Sequence, residues 1–305
     1  MSTAAAPEWF RAAVAVRPER ASLTVGGVEV TWRRWGARSL PPLVLVHGAA
    51  AHGGWWEYLA PLLAARWCVV APDLSGHGDS AWRDRYDTRL WADEVVAVTR
   101  AALGPDGQPP VLAGHSLGAS VACAAAALHG QQFRSLVICD LGLGARGRSR
   151  ARASGRHFVN RLVYATRAEA ESHFALTPRQ PAPPPWLAGF LASGSVRPVG
   201  PKGPGVRDEP AAGEPPKGWT WKFDWRLFHR PDEVDLRQHL SALRLPSAFL
   251  GGSDSRVATR PRVAALREAC TGGLAEVWVP CAHHHLMVDQ PLAFVAALEA
   301  LAATL

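Results

Sequence analysis

Ser116 is the residue best placed, by type and by neighbours, to act as a nucleophile. It sits in VLAGHSLGAS, residues 111–120, with Gly114 two positions before it and Gly118 two after. A Gly-x-Ser-x-Gly segment between a strand and a helix throws its serine into a sharp turn, and the glycines let strand and helix approach closely enough to form it. The context supplies both elements. Pro109 and Pro110 close a loop, residues 111–113 read as a short buried strand, and the alanine-rich residues 121–128 read as a helix. A serine hydroxyl is a poor nucleophile near neutral pH; it needs a histidine within hydrogen-bond reach and an acid that orients the histidine. PCAHHHLMVDQP, residues 280–291, offers three candidates, His283, His284 and His285, in a loop between the last expected strand and the last expected helix.

The elements that must position these residues alternate. Residues 22–25 and 28–35 flank Gly26-Gly27, the pattern of a hairpin with a primed turn. LVLVHG, residues 43–48, is a continuous apolar run of the kind found in strands buried on both faces. A helix is expected over 55–66, a strand over 67–71, a Gly/Asp/Ser-rich loop (PDLSGHGDS), a helix over 90–103, then the strand before Ser116. Residues 136–139 form one more strand, ending at Asp140. The pattern breaks over 141–235, with a basic Gly/Arg stretch, a helical stretch near 159–174 and a Pro/Gly-rich run over 178–218, the portion 198–217 being the one expected to be mobile. Trp186, Phe190, Trp219, Trp221 and Trp225 argue for packed structure elsewhere in it. Alternation resumes with strands over 247–250 and 274–279 and helices over 258–269 and 292–301. Repeated strand-helix units predict a mostly parallel sheet with helices on both faces, interrupted by an insertion over one end.

Composition narrows the classes. The 305 residues are 48% hydrophobic, enough for a full core, with no stretch long enough to span a membrane and no signal peptide expected. The net charge of +7 could point to nucleic acid, but the 33 basic residues include only Lys202, Lys217 and Lys222 as lysines, and the arginines are scattered apart from the run Arg146, Arg148, Arg150, Arg152 and Arg156. No nucleic-acid or membrane partner is expected; a solvated flank is the preferred reading of that run over a carboxylate-selecting one. The five cysteines are odd in number and mostly among apolar residues, as buried free thiols in a reducing, cytoplasmic setting would be.

Together these motifs resemble the α/β-hydrolase superfamily. The His47-Gly48 loop, PDLSGHGDS, the serine turn and the histidine loop occur in that order and cover nearly the whole chain. The resemblance implies an α/β-hydrolase core over 1–140 and 236–305 and a lid over 141–235. Aligning Asp289 and Pro291 with the superfamily's histidine loop puts His284 at the base position. In the commoner pattern the acid ends a GxxD turn after the second-last strand; here Ser255 occupies that place and Asp254 comes one residue early. A variant puts the acid after the strand following the nucleophile helix, where Asp140 stands. Asp140 is the expected acid and Asp254 its rival, because a one-residue shift in a tight turn redirects a side chain. The resemblance also implies an oxyanion hole from the backbone N–H groups of Ala49 and Leu117.

The expected function is hydrolysis of a carboxylic ester of a small, largely apolar substrate through an acyl-enzyme, with no metal or organic cofactor. Carbon-carbon, lactone or amide cleavage are alternatives on the same fold, as is a ligand-binding protein with a vestigial triad. A serine at position 116 disfavours chemistries that need a carboxylate nucleophile. Three contiguous histidines also raise a metal site, which would need converging side chains. PDLSGHGDS is expected to brace its loop through Asp73 and His77, and GWTWKFD, residues 218–224, carries no assigned substrate.

Overall fold

A computed structural model describes residues 5–104, 107–144, 162–200, 216–228 and 236–305. The basic run 146–156, most of 198–217, and the first part of the helical stretch near 159–174 lie outside the described residues.

The core is an eight-stranded sheet: β1 (Glu19–Val25), β2 (Val28–Trp35), β3 (Pro42–Val46), β4 (Cys68–Pro72), β5 (Val111–His115), β6 (Ser135–Cys139), β9 (Ser247–Gly252) and β10 (Ala275–Val279), in the order β1-β2-β4-β3-β5-β6-β9-β10. Only β2 runs antiparallel to its neighbours, and the hairpin from β1 turns at Gly26 and Gly27, both with positive φ, as a primed turn requires. The remaining pairs are parallel. Every residue of β3 to β6 is buried because both faces are covered. Alternate side chains feed two cores: Val44, Val46, Leu112, Leu136 and Ile138 enter one, and Leu43, Leu45, Val111, Val137 and Cys139 enter the other.

The first core is covered by α3 (Thr88–Leu103), α4 (Leu117–Leu128), α7 (Leu236–Ala242) and α8 (Arg260–Ala269), the second by α1 (Glu8–Ala15), α2 (Ala60–Leu63), α9 (Leu286–Asp289) and α10 (Pro291–Thr304). The helix expected over 55–66 is instead a 3-10 turn at Gly53–Trp56 followed by the single turn α2. Pro61 at the start of α2 has no N–H to continue a helix from the preceding turn. α1 was not expected. Helix α3 starts two residues earlier than its apolar pattern because Asp87 caps it, accepting the Leu90 N–H at 2.7 Å.

Between β6 and α7 the chain leaves the sheet. The described part holds α5 (Arg167–Ser172), α6 (Pro185–Gly194) and a two-stranded antiparallel ribbon of β7 (Val196–Pro198) and β8 (Trp219–Trp221). PDLSGHGDS fastens this insertion. The Gly78 N–H donates to Lys222 O and the Asp224 N–H to Gly76 O, both at 2.7 Å, and the Lys222 ammonium meets Asp79 at 2.8 Å. The loop is itself built on Asp73, fully buried, which accepts from Gly53, Arg33, Thr31 and Asp79. Burial would raise that carboxyl, but the Arg33 guanidinium together with the His52 and His47 rings and the Asp79 N–H outweighs it and holds Asp73 far below the usual carboxylate range. GWTWKFD and PDLSGHGDS are therefore two halves of one joint. Among the described residues no helix is long and apolar enough to cross a membrane.

Candidate active site

The turn that presents Ser116 follows from the two glycines. A Cβ on Gly114 would sit 2.2 Å from the Gly118 carbonyl oxygen, and one on Gly118 would sit 2.4 Å from the His47 carbonyl oxygen. With neither present, the start of α4 closes on the ends of β5 and β3. Ser116 is driven to φ 53, ψ −114, a conformation that L-residues seldom occupy. Its N–H donates to Cys139 O at 3.0 Å, and its side chain remains half-buried at the carboxyl edge of the sheet.

Three neighbouring loops converge on that edge. Asp140 follows β6 at φ 46 and is fully buried; His284, 4% exposed, follows β10. His284 Nδ1 lies 2.8 Å from Asp140 Oδ1, and His284 Nε2 lies 3.0 Å from Ser116 Oγ. A carboxylate can only accept, so Nδ1 carries the proton, and the lone pair on Nε2 faces the serine hydroxyl. The sequence offered three histidines; the structure gives each a different partner. His283 Nδ1 donates to Asp289 Oδ2 at 3.0 Å, and His285 Nδ1 donates to Gln180 Oε1 at 2.9 Å. Their rings diverge, and among the described residues no group of His, Cys, Asp and Glu side chains could hold a metal ion.

The rival acid, Asp254, is not at this site. It is exposed in the turn after β9, where its carboxylate accepts from Ser253 Oγ at 3.0 Å and its N–H bonds Ala282 O. The residue after it is the one that reaches inward. Ser255 Oγ donates to Asp140 Oδ1 at 2.6 Å, and the Gly252 N–H donates to Asp140 Oδ2 at 2.9 Å. Sequence reasoning noticed Ser255 only as the place where an acid was missing.

Leu117 directly follows Ser116 at the start of α4, and Ala49 follows Gly48 in the loop after β3. His47 pins that loop: its Nδ1–H donates to Gly48 O at 2.8 Å and its Nε2 accepts the Leu74 N–H at 3.1 Å. Among the described residues neither the Ala49 N–H nor the Leu117 N–H has a hydrogen-bond partner. Leu117 opens α4, so its N–H has no acceptor within the helix. Two more residues brace the site without having been singled out from the sequence. His115 Nε2–H donates to His284 O at 2.8 Å, tying the end of β5 to the histidine loop. Gln180, from the insertion, accepts the His285 N–H as well as its ring and donates to Asp289 at 2.8 Å. Burial keeps His115 and His285 well below the ordinary imidazole range, so both stay neutral in these roles. Half-buried aromatics continue outward from the histidine loop, Trp55 standing 5.8 Å from the His285 ring and 6.0 Å from Phe174.

A second serine-histidine contact joins the loop after β3 to the insertion, where His52 Nε2 is 3.3 Å from Ser195 Oγ. Burial lowers the His52 imidazole to about 3. Nearby is a cleft of about 160 Å³ lined by Arg33, His52, Trp55, Phe190, Leu191 and Lys222 among others; it includes neither Ser116 nor His284. Of the five free thiols, four are buried and are raised by burial, whereas Cys281 is exposed, contrary to the expectation that all would be covered.

The sequence profile of the alpha/beta hydrolase family matches residues 43–298, and the chain belongs to that family. It is 38% identical over 129 residues (42% of this chain, 34% of the relative) to the dihydrolipoyllysine-residue acetyltransferase component of the acetoin cleaving system of Pseudomonas putida. It is 31% identical over 165 residues (54% of this chain, 61% of the relative) to lipase LipV of Mycobacterium tuberculosis. The chain thus spans between about a third and three fifths of the length of these curated relatives. Among solved structures, that of E-2-(acetamidomethylene)succinate hydrolase superposes with a TM-score of 0.75 over 93% of this chain and 99% of that one, at 21% identity, a likeness of fold.

Proposed function

We propose that this protein is a serine hydrolase of the carboxylesterase class, cleaving an ester of a small, largely apolar acid through an acyl-enzyme. The observation that carries the reading is the unbroken hydrogen-bond chain from Ser116 through His284 to Asp140. Ser116 Oγ attacks the acyl carbon while its proton passes to His284 Nε2. The carbonyl oxygen, now an oxyanion, takes hydrogen bonds from the Ala49 and Leu117 N–H groups, neither of which is spent on another acceptor among the described residues. Collapse expels the alcohol, which receives the proton from His284. Water then attacks the acyl-serine with His284 as base, and the acid leaves. Asp140 holds the imidazole in the tautomer that keeps Nε2 open and stabilises the imidazolium each time it forms.

The lipase among the relatives supports ester cleavage, and Trp55 and Phe174 beyond His285 support an apolar substrate. In this reading the substrate is a small molecule, residues 141–235 serve as the lid, and the buried thiols fit a cytoplasmic setting. Hydrolysis of p-nitrophenyl esters from acetate to decanoate tests it. Wild type should exceed Ser116→Ala by about 10³-fold or more on at least one chain length. Equality on every ester would count against the reading.

A further inference from the structure

The turn after β9 carries a serine at the place that holds the acid in the superfamily's commoner pattern, and that serine touches Asp140. Ser255 is 8% exposed and its single proton is committed. Its oxygen accepts the N–H groups of Val257 and Ala258, each at 3.1 Å, so the hydroxyl hydrogen is the one left to reach Asp140 Oδ1 at 2.6 Å. A carboxylate has no hydrogen to return, which fixes the direction of the bond. The receiving atom is the same oxygen that accepts from His284 Nδ1. The other oxygen is held by the Gly252 N–H. Gly252 cannot be replaced by a larger residue without a shift of backbone, since a Cβ there would lie 2.2 Å from Ala282 O. Asp140 is thus gripped on both oxygens by the turn of the neighbouring strand.

We infer that Ser255 is a positioning residue: its hydroxyl aims and partly neutralises the Asp140 carboxylate, and through it sets how strongly His284 holds a proton. The inference rests on the hydrolase reading for its kinetic consequence and on geometry alone for the contact. A hydrogen bond to a charged group is among the stronger ones, and its loss frees the carboxylate both to swing and to attract the imidazolium more strongly.

The test compares wild type, Ser255→Ala and Ser255→Thr, alone and with Asp140→Asn, on p-nitrophenyl butyrate across pH. Ser255→Ala should lower kcat about tenfold with little change in KM, and move the acidic limb of kcat/KM to higher pH. Ser255→Thr, which keeps the hydroxyl, should recover most of both. In the Asp140→Asn background, removal of Ser255 should cost little more, because the two act as one unit. An unchanged limb in Ser255→Ala, or an equal loss with and without Asp140, overturns the inference. If Ser255→Ala fails to fold after losing its bonds to Val257 and Ala258, Ser255→Cys, similar in shape but a weak donor, takes its place with the same expectations. Proton NMR of the His284 Nδ1–H reads the contact without substrate: its low-field resonance should shift in Ser255→Ala and persist in Ser255→Thr, and no shift in the alanine variant contradicts the inference. Failure of the hydrolase reading would show separately, as wild type no faster than Ser116→Ala.

Discussion

Among the described residues two serine-histidine side-chain pairs stand, and they differ in the direction in which the proton points. At Ser116 the histidine is anchored by a carboxylate on Nδ1, so Nε2 is a lone pair that draws on the serine hydroxyl. At Ser195 the relation is reversed. His52 Nδ1 accepts the Gly54 N–H at 3.1 Å, which leaves the proton on Nε2 to be donated to Ser195 Oγ. Trp55 Nε1 donates to the same oxygen at 3.2 Å, and the hydroxyl itself donates to Leu191 O at 2.7 Å. The oxygen of Ser195 is saturated with donors and its hydrogen is spent on a carbonyl. Among the described residues no carboxylate bonds His52. Residue type and distance are nearly the same in the two pairs; the third partner separates the serine proposed as nucleophile from one that fastens a helix end.

The largest effect should come from breaking the carboxylate side of the first pair. Asp140→Asn keeps the shape but offers an amide to His284 and favours the wrong tautomer. Ester turnover should fall by about 10³- to 10⁴-fold, whereas Asp254→Asn should stay within about twofold. The reverse result would move the acid to the turn after β9.

The backbone turn around Ser116 was legible in the sequence because it rests on excluded volume. Gly114 and Gly118 stand where any side chain would meet backbone, and that constraint is local. The strands β3 to β6 were legible for a similar reason, since burial on both faces leaves an unbroken apolar run. The ribbon of β7 and β8 was not, because three-residue strands carry no measurable period. Nor could the sequence tell which strand end brings a carboxylate to His284, as Cys139 and Leu250 pair side by side and the loops after both border the histidine loop. Contacts such as Ser255 with Asp140, Gln180 with His285 and His52 with Ser195 join residues more than a hundred positions apart and leave no local trace.

A second comparison can be sharpened by acid. Burial holds His47, His52, His77, His115 and His285 below the usual imidazole value of about 6.5 in the folded protein. The unfolded chain therefore binds more protons below that pH, and the stability these neutral rings represent is complete above about pH 6.5 and lost as pH falls. Asp73, held far below the carboxylate range, contributes nothing to this window. The melting temperature should be level from pH 8 to about 6.5 and drop progressively toward pH 5. A level profile to pH 5 would mean that these rings are not buried as described.

The smallest effect should follow substitution at the second pair. Ser195→Ala removes an acceptor for His52 and Trp55 and should cost about 1 kcal/mol of stability by denaturant titration. Ester turnover should remain within about threefold of wild type, because no step uses that hydroxyl.

The central claim, that one serine of the two is a nucleophile, is tested most directly by a fluorophosphonate probe and peptide mass spectrometry. The expected result is one adduct, on Ser116, formed by wild type and Ser195→Ala and lost in His284→Ala. An adduct on Ser195, or none on Ser116 in a folded protein, would contradict it.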